Sequence, residues 1–267
     1  NFGHTKRFIK NKNFKKKPKI IEVHNRPKSI FQISYSLPYS KKFLFYHNDP
    51  LSFKEYSSIK SRRELLDICH NICFVSEYLK ERFLSGLSKS QRNNSKLQVI
   101  YNGVKPRTSK SRTLKKKNIV FIGELSLNKG FNFFLEAVED ICEEFKDWSV
   151  DIYGKSKTFN YSFINNPKIH YHGFLPNDKI IKELEKSSIC VVPSVWNEPF
   201  GRVLLESINS GVATITSVNG GLKEIADHFK VIKIEYINKK TIYNGLKKLI
   251  MSKNEVTYYS NNQVSSS

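Results

Sequence analysis

The feature that most constrains this chain is a repeated unit: a short, largely apolar run closed by glycine or proline, then a segment of helical period. Ile119-Val-Phe-Ile122 ends at Gly123, Val150-Asp-Ile-Tyr153 at Gly154, Ile169-His-Tyr-His172 at Gly173 and Ile189-Cys-Val-Val192 at Pro193. Ala213-Thr-Ile-Thr216 and Val231-Ile-Lys-Ile234 continue the series. Between them, residues 130–145 place Phe131, Phe134, Leu135, Val138, Ile141, Cys142 and Phe145 on one stripe, the spacing of an amphipathic helix. Further helices are predicted from Asn177 to about Lys186, from about Gly201 to Asn209, after Gly220-Gly221, and over 239–251. Strands alternating with helices through short loops predict an α/β fold, a parallel sheet wrapped by helices. In such sheets ligands lie beyond the carboxyl ends of the strands, at helix N-termini.

The first part of the chain carries a similar pattern less regularly. Lys19-Ile-Ile-Glu-Val-His24 and Ser29-Ile-Phe-Gln-Ile-Ser34 are expected as strand or strand-adjacent segments. Lys42-Phe-Leu-Phe-Tyr-His47 is a clearer strand, stopped by the turn residues Asn48-Asp-Pro50. A helix is expected over Ser61–Cys69, a strand at Ile72–Val75, a helix N-cap at Ser76 and a strand at Leu97–Tyr101. Residues 105–117 hold almost no apolar side chains and many like charges, so a linker is expected there. The expected organisation is therefore a first domain over 1–107, a second over 108–251 and a tail over 252–267, of which Asn261–Ser267 read as a polar tail or a cut end. A length of 267 residues suits that number of domains.

Composition closes off several classes. Hydrophobic residues at 39% supply a core, which excludes a disordered chain. No apolar run reaches the roughly 18 residues of a membrane span. Four Cys are too few for a disulfide scaffold, and Cys69-His70-x2-Cys73 lacks a second ligand pair, so buried free thiols are expected and no metal site. The net charge of +21 calls for a polyanionic partner or reflects a composition rich in Lys; the residues leave both open. The stretch Lys10–Lys19 is an anion-binding stripe or, more simply, a solvated connection. The chain begins at Asn1 with no apolar leader pattern after it.

The loops after the predicted strands carry the chemistry. Trp196-Asn-Glu198-Pro-Phe-Gly201-Arg-Val-Leu-Leu-Glu206 runs from a strand into a helix. Glu198 falls where side chains reach a ligand, Gly201 lets backbone amides approach one, and Glu206 lies eight positions on. On spacing alone, the two carboxylates read more simply as a helix-start anion and a solvated helix residue. Gly123-Glu-Leu-Ser-Leu-Asn-Lys129-Gly130 opens the long helix, where Lys129 adds a full charge to a dipole-favoured anion site, or is an ordinary exposed lysine. Ser217-Val-Asn-Gly220-Gly221-Leu-Lys-Glu224 is a third turn able to present amides to a phosphate. Three such loops on one sheet would converge on one crevice.

Taken together, Phe74-Val-Ser-Glu-Tyr-Leu79, Val99-Ile-Tyr-Asn-Gly-Val104, Phe121-Ile-Gly with Lys129-Gly130, Val192-Pro-Ser with Glu198-Pro-Phe-Gly and Glu206, and Gly220-Gly-Leu-Lys-Glu224 resemble the retaining GT-B glycosyltransferases of family 4. The matching stretches span about residues 44 to 227. The Glu-x7-Glu element in its Glu-Pro-Phe-Gly context is the specific one; the Gly-Gly and Lys-Gly pieces are weak alone. Ile21-Glu-Val-His-Asn-Arg-Pro27 with His47-Asn-Asp-Pro50 resembles members that build lipopolysaccharide or other bacterial surface glycans.

The resemblance implies two Rossmann-like domains with parallel sheets, the first of them on the acceptor side and incomplete here, and transfer of a sugar from a nucleotide-sugar donor to a glycan or lipid-linked acceptor with retention of configuration. It implies Lys129 on the donor diphosphate, Glu198 at the transferred sugar, and Phe200, Gly201 and Arg202 lining sugar and phosphate with backbone groups. Glu206 would hold the ribose, Gly123, Gly220 and Gly221 would help form the donor site, and His47 would face the sugar across the cleft. Glu124 departs from the pattern, because family members often carry Arg there. No Asp-x-Asp element occurs, so no metal and no further cofactor is expected. A cytoplasmic enzyme, peripheral at an anionic inner membrane surface, reconciles the charge with the family. Two alternatives stand beside it: a non-catalytic nucleotide-sugar-binding module, and a basic nucleic-acid-binding protein suggested by the charge with 19 Phe and 13 Tyr. The aromatics fall mostly on core stripes, so no nucleic-acid partner is expected.

Overall fold

A computed structural model describes residues 18–105, 115–156 and 165–261. The basic stretch before Pro18, most of the expected linker and the last residues of the expected tail lie outside the described residues. The chain divides into two compact units, Asn1–Asn102 and Gly103–Ser267, a division slightly ahead of the expected 107/108 boundary.

The first unit runs β1 (Ile20–His24), α1 (Pro27–Ser36), β2 (Lys41–Tyr46), α2 (Ile59–Ile68), β3 (Asn71–Phe74), α3 (Glu77–Leu84), α4 (Lys89–Arg92) and β4 (Leu97–Val99). Its sheet has the order β1-β2-β3-β4, with every pair parallel. The segment Ser29–Ser34, expected as a strand or strand-adjacent segment, is helical within α1. Pro27 sits at the start of that helix, where its fixed φ fits and its missing N–H costs nothing. Ile30 and Ile33, three apart, are the buried pair, and a parallel β1–β2 pair needs a crossover between its strands. Tyr46, Phe74 and Phe83 fill the core, with Tyr46 and Phe74 stacked at 5.7 Å. Ser76 caps α3 as expected, its hydroxyl accepting from the Leu79 amide at 3.1 Å. The buried Arg62 ties α2 to the end of α3 through the carbonyls of Phe83 and Ser85.

The second unit runs β5 (Asn118–Ile122), α5 (Phe131–Glu144), β6 (Ser149–Tyr153), β7 (Ile169–Gly173), α6 (Asn177–Lys186), β8 (Ile189–Val192), α7 (Arg202–Asn209), β9 (Ala213–Ser217), α8 (Leu222–His228), β10 (Ile232–Ile234), α9 (Lys239–Met251) and α10 (Lys253–Asn261). Its sheet is also parallel, in the order β10-β9-β8-β5-β6-β7. From β5 the chain moves outward one way through β6 and β7. It then returns to the other side of β5 and moves outward through β8, β9 and β10. The order therefore reverses between β5 and β8, the topological switch point at which open α/β sheets bind ligands.

The α5 stripe packs as its spacing predicts: Phe131, Phe134, Val138, Ile141 and Cys142 are buried with Ile119, Phe121 and Ile152 of the sheet. The expected tail is corrected over 253–261. That stretch forms α10, because Val256 and Tyr259 give it an apolar face that packs against the core. All four cysteines are buried free thiols. Burial pushes Cys69 and Cys190 up to about 12, which keeps them protonated and unreactive. Among the described residues, no group of three or more His, Cys, Asp or Glu side chains is placed to hold a metal, and no helix is long and apolar enough to cross a membrane.

Candidate functional site at the switch point of the second sheet

The loop after β5 and the loop after β8 meet at the reversal of strand order. Gly130, at φ 66°, turns the first loop into α5, and an added Cβ there would lie 2.0 Å from the Pro193 carbonyl oxygen of the second. The Asn128 carbonyl accepts the amides of Val195 and Trp196 at 2.9 and 3.1 Å. These contacts bring Lys129 to Glu198: the ammonium donates to Glu198 Oε1 in a short ion pair. Ser194 Oγ donates to the same carboxylate oxygen at 2.5 Å, and the Lys129 ammonium also lies 5.4 Å from the centre of the Trp196 ring.

The loop after β9 completes the third side. Glu198 forms a parallel bridge with Gly220, its carbonyl accepting the Gly221 amide at 2.7 Å. Asn219 donates to the carbonyls of Ser194 and Val195 at 2.8 and 3.1 Å. Gly220 has φ 63°, and a Cβ on it would lie 2.4 Å from the Glu198 carbonyl oxygen; one on Gly221 would lie 2.6 Å from that of Pro199. The double glycine is thus required for the β8 and β9 loops to close on each other.

Glu198 and Glu206 are only 8% and 6% exposed, so the simpler reading of Glu206 as a solvated helix residue is overturned. A buried carboxylate needs partners, and each has them. Glu206 Oε1 accepts from Arg202 Nη2 and from Asn177 Nδ2, both at 2.9 Å. The helix predicted from Asn177 begins there, with Pro176 at its N-cap, and the Asn177 side chain turns to Glu206. Gly201 at φ 104° starts α7, with Leu222 filling the space a Cβ would need. The Phe200 ring is buried, so only its backbone is available to a ligand. Gly123 and Glu124 line a cavity of about 470 Å³ at the ends of β5, β6 and β7, together with Tyr153, Gly154, Lys155 and Phe174. Sequence reasoning assigned no role to Ser194, Asn128 or Asn219. Their signal was only position, each being a short polar residue in a loop that follows a strand.

His47 belongs to the first unit. It directly follows β2, and its Nε2 lies 2.9 Å from His24 Nδ1 at the end of β1. Asn25 Oδ1 accepts the His47 and Asn48 amides at 2.7 and 3.1 Å. Burial, and then the neighbouring His24, hold the His47 imidazole below its ordinary range. The unfolded chain takes up that proton near pH 6.5, the folded chain only at lower pH. Stability from this group is therefore complete above the unfolded value and is lost as pH falls through the folded one. The urea midpoint of the parent is expected to fall more between pH 7.5 and pH 5 than that of His47→Asn. Equal falls in the two proteins would remove His47 as the source.

Comparison with known proteins agrees with this architecture. A solved structure of Anabaena Alr3699/HepE in complex with UDP and glucose superposes with a TM-score of 0.73 at 15% identity, covering 92% of this chain and 72% of that one. A mutant of S. aureus TarM in a complex that includes UDP superposes with a TM-score of 0.73 at 16% identity, covering 94% and 52%. The fold is the GT-B type of α/β fold, with two Rossmann-like units. Spore coat protein SA of Bacillus subtilis is 27% identical over an alignment of length 241, with 79% of this chain and 63% of that protein covered. The chain spans about three fifths of the length of such relatives. The model of the family described as "Glycosyl transferases group 1" matches residues 105–264, more than half of the chain and nearly all of the second unit. On that match, the chain belongs to the group 1 glycosyl transferases.

Proposed function

We propose that this chain belongs to a retaining glycosyltransferase of family 4 that moves a sugar from a nucleotide-sugar to a glycan or lipid-linked acceptor in bacterial surface-polysaccharide synthesis, lipopolysaccharide included. The observation that carries the reading is the Lys129–Glu198 ion pair at the switch point of the second sheet. Breaking a glycosyl–phosphate bond builds positive charge on the sugar and negative charge on the departing diphosphate. A cation and a carboxylate side by side are what those two charges need. In the free chain they neutralise each other. An arriving diphosphate draws the ammonium to itself and releases Glu198 to the sugar. The UDP and glucose held by the Anabaena protein support a uridine donor.

The remaining roles follow from position. Backbone groups of Phe200, Gly201 and Arg202, with Gly220 and Gly221, line the sugar and phosphates. Glu206, already fixed by Arg202 and Asn177, accepts ribose hydroxyls. The cavity bordered by Gly123 and Glu124 takes the nucleobase between apolar walls. There Glu124 serves as an acceptor for a base N–H, which accounts for a carboxylate in place of the arginine that would clamp phosphate. His47 is the catalytic residue of the first unit. The absence of an Asp-x-Asp element supports a metal-independent reaction. The charge of +21 supports a cytoplasmic enzyme peripheral to an anionic membrane.

Titration with UDP in a calorimeter tests the donor site. The parent is expected to bind, and Lys129→Ala to bind about 10- to 100-fold more weakly, the effect of losing one charge-assisted contact to phosphate. Equal affinity in the two proteins would overturn the assignment. Binding of UDP-sugars with no turnover by the full-length protein would instead establish the non-catalytic module.

A further inference from the structure

The first unit holds a second cavity, of about 540 Å³, at the start of α1. Three cations border it, Arg26, Lys28 and Lys54, against the single carboxylate of Glu55. Lys28 Nζ lies 3.3 Å from Glu55 Oε2, so that carboxylate is already matched. The side chains of Arg26 and Lys54 form no ion pair or hydrogen bond with a described residue, which leaves the cavity positive. The turn presenting Arg26 is held firmly. Asn25 takes the left-handed conformation at φ 52°, its side chain bridges to two amides of the β2 end, and the Arg26 carbonyl accepts the Ser29 amide at 2.9 Å.

Two aromatic residues line it as well. Phe53 and Tyr56 border the cavity, and Tyr56 is fixed by stacking on Phe31 at 5.3 Å. Gln32 adds an amide able to both donate and accept. A bare anion needs only the cations. Aromatic side chains able to pack on the C–H surface of a sugar, an amide able to read hydroxyls and two unmatched cations suit a larger ligand.

We propose that this cavity binds an anionic saccharide, a sugar bearing a carboxylate or phosphate, as the acceptor of the transfer. The assignment rests on the transferase reading above for the word acceptor, but its binding chemistry is read separately. The charged group meets Arg26 and Lys54, and the ring lies against Phe53 and Tyr56.

Calorimetry on the full chain at low salt, with glucose, glucuronate, glucose 6-phosphate and inorganic phosphate as probes, tests it. Glucuronate and glucose 6-phosphate are expected to bind at least about tenfold more tightly than glucose or phosphate. The double variant R26A/K54A is expected to lose at least about tenfold for both charged sugars, and R26K/K54R to recover most of it. UDP affinity is expected to be the same in all three proteins, which also reports that the variants are folded. Phosphate binding as tightly as glucose 6-phosphate would mean a simple anion site and overturn the proposal. So would charged sugars that bind no better than glucose, or an unchanged R26A/K54A. Co-sedimentation with phosphatidylglycerol vesicles that requires Arg26 and Lys54, without saccharide binding, would assign the cations to a membrane and also overturn it. A parent that binds the charged sugars and not UDP would sink the transferase reading while leaving the cavity's chemistry in place.

Discussion

Glu198→Gln is expected to lower sugar transfer, or donor hydrolysis, by about a thousandfold in the full-length protein, while UDP affinity stays within about tenfold of the parent. The substitution keeps the size of the side chain and an oxygen for the Ser194 hydroxyl, so the loop geometry survives. On the proposed reading it removes the negative charge beside the reacting carbon. On that reading the charge has little to do with holding UDP in the ground state, and much to do with a sugar that becomes cationic as its bond to phosphate breaks. Lys129→Ala should divide the other way, weakening UDP binding as well as turnover, because in its proposed role the lysine meets the diphosphate before and after bond cleavage. Turnover within tenfold of the parent in Glu198→Gln, with UDP binding intact, would remove Glu198 from the reaction. The shared site would then be a binding site for the nucleotide alone.

Most of the second sheet could be read from the chain because its strands are short apolar runs bounded by glycine or proline, and its long helix announces itself by period. The stripe from Phe131 to Cys142 needed no context to be seen. What could not be read is strand order. Nothing in the spacing of Gly123, Pro193 and Gly220 says that β5 lies beside β8, yet that adjacency brings Lys129 to Glu198. Burial of the two glutamates was equally hidden, since it comes from Ser194, Asn177 and loop backbone distant in sequence from at least one of them. The segment 29–34 misled because Ile30, Phe31 and Ile33 fit a short strand as well as a helix turn. The decisive residue was Pro27, two positions earlier. Residues 253–261 misled for the opposite reason: Val256 and Tyr259 are a sparse apolar face, enough for a helix only where a core is present to receive it.

Gly130→Ala is expected to destabilise the second unit by about 2–5 kcal/mol, the sum of left-handed backbone strain and a steric clash. At the usual scaling for a unit of this size, that is a fall of roughly 10 °C in melting temperature. The strain arises at φ 66°; the clash arises because the new methyl would lie 2.0 Å from the Pro193 carbonyl oxygen, which is backbone and has no rotamer to escape into. Gly173→Ala separates the two causes. Gly173 has φ 70° but nothing within 4 Å of an added Cβ, so it carries the strain alone and should cost about 1 kcal/mol. The difference between the two variants measures how tightly the β5 and β8 loops are pressed together at the switch point. Relief of the clash must move Pro193, and with it Ser194 and Glu198, away from Lys129. Gly130→Ala should therefore lose UDP affinity even below its melting transition, whereas Gly173→Ala should keep it. Equal melting temperatures and equal UDP binding in the two variants would show that the loops can part freely, and that the ion pair does not depend on their close approach.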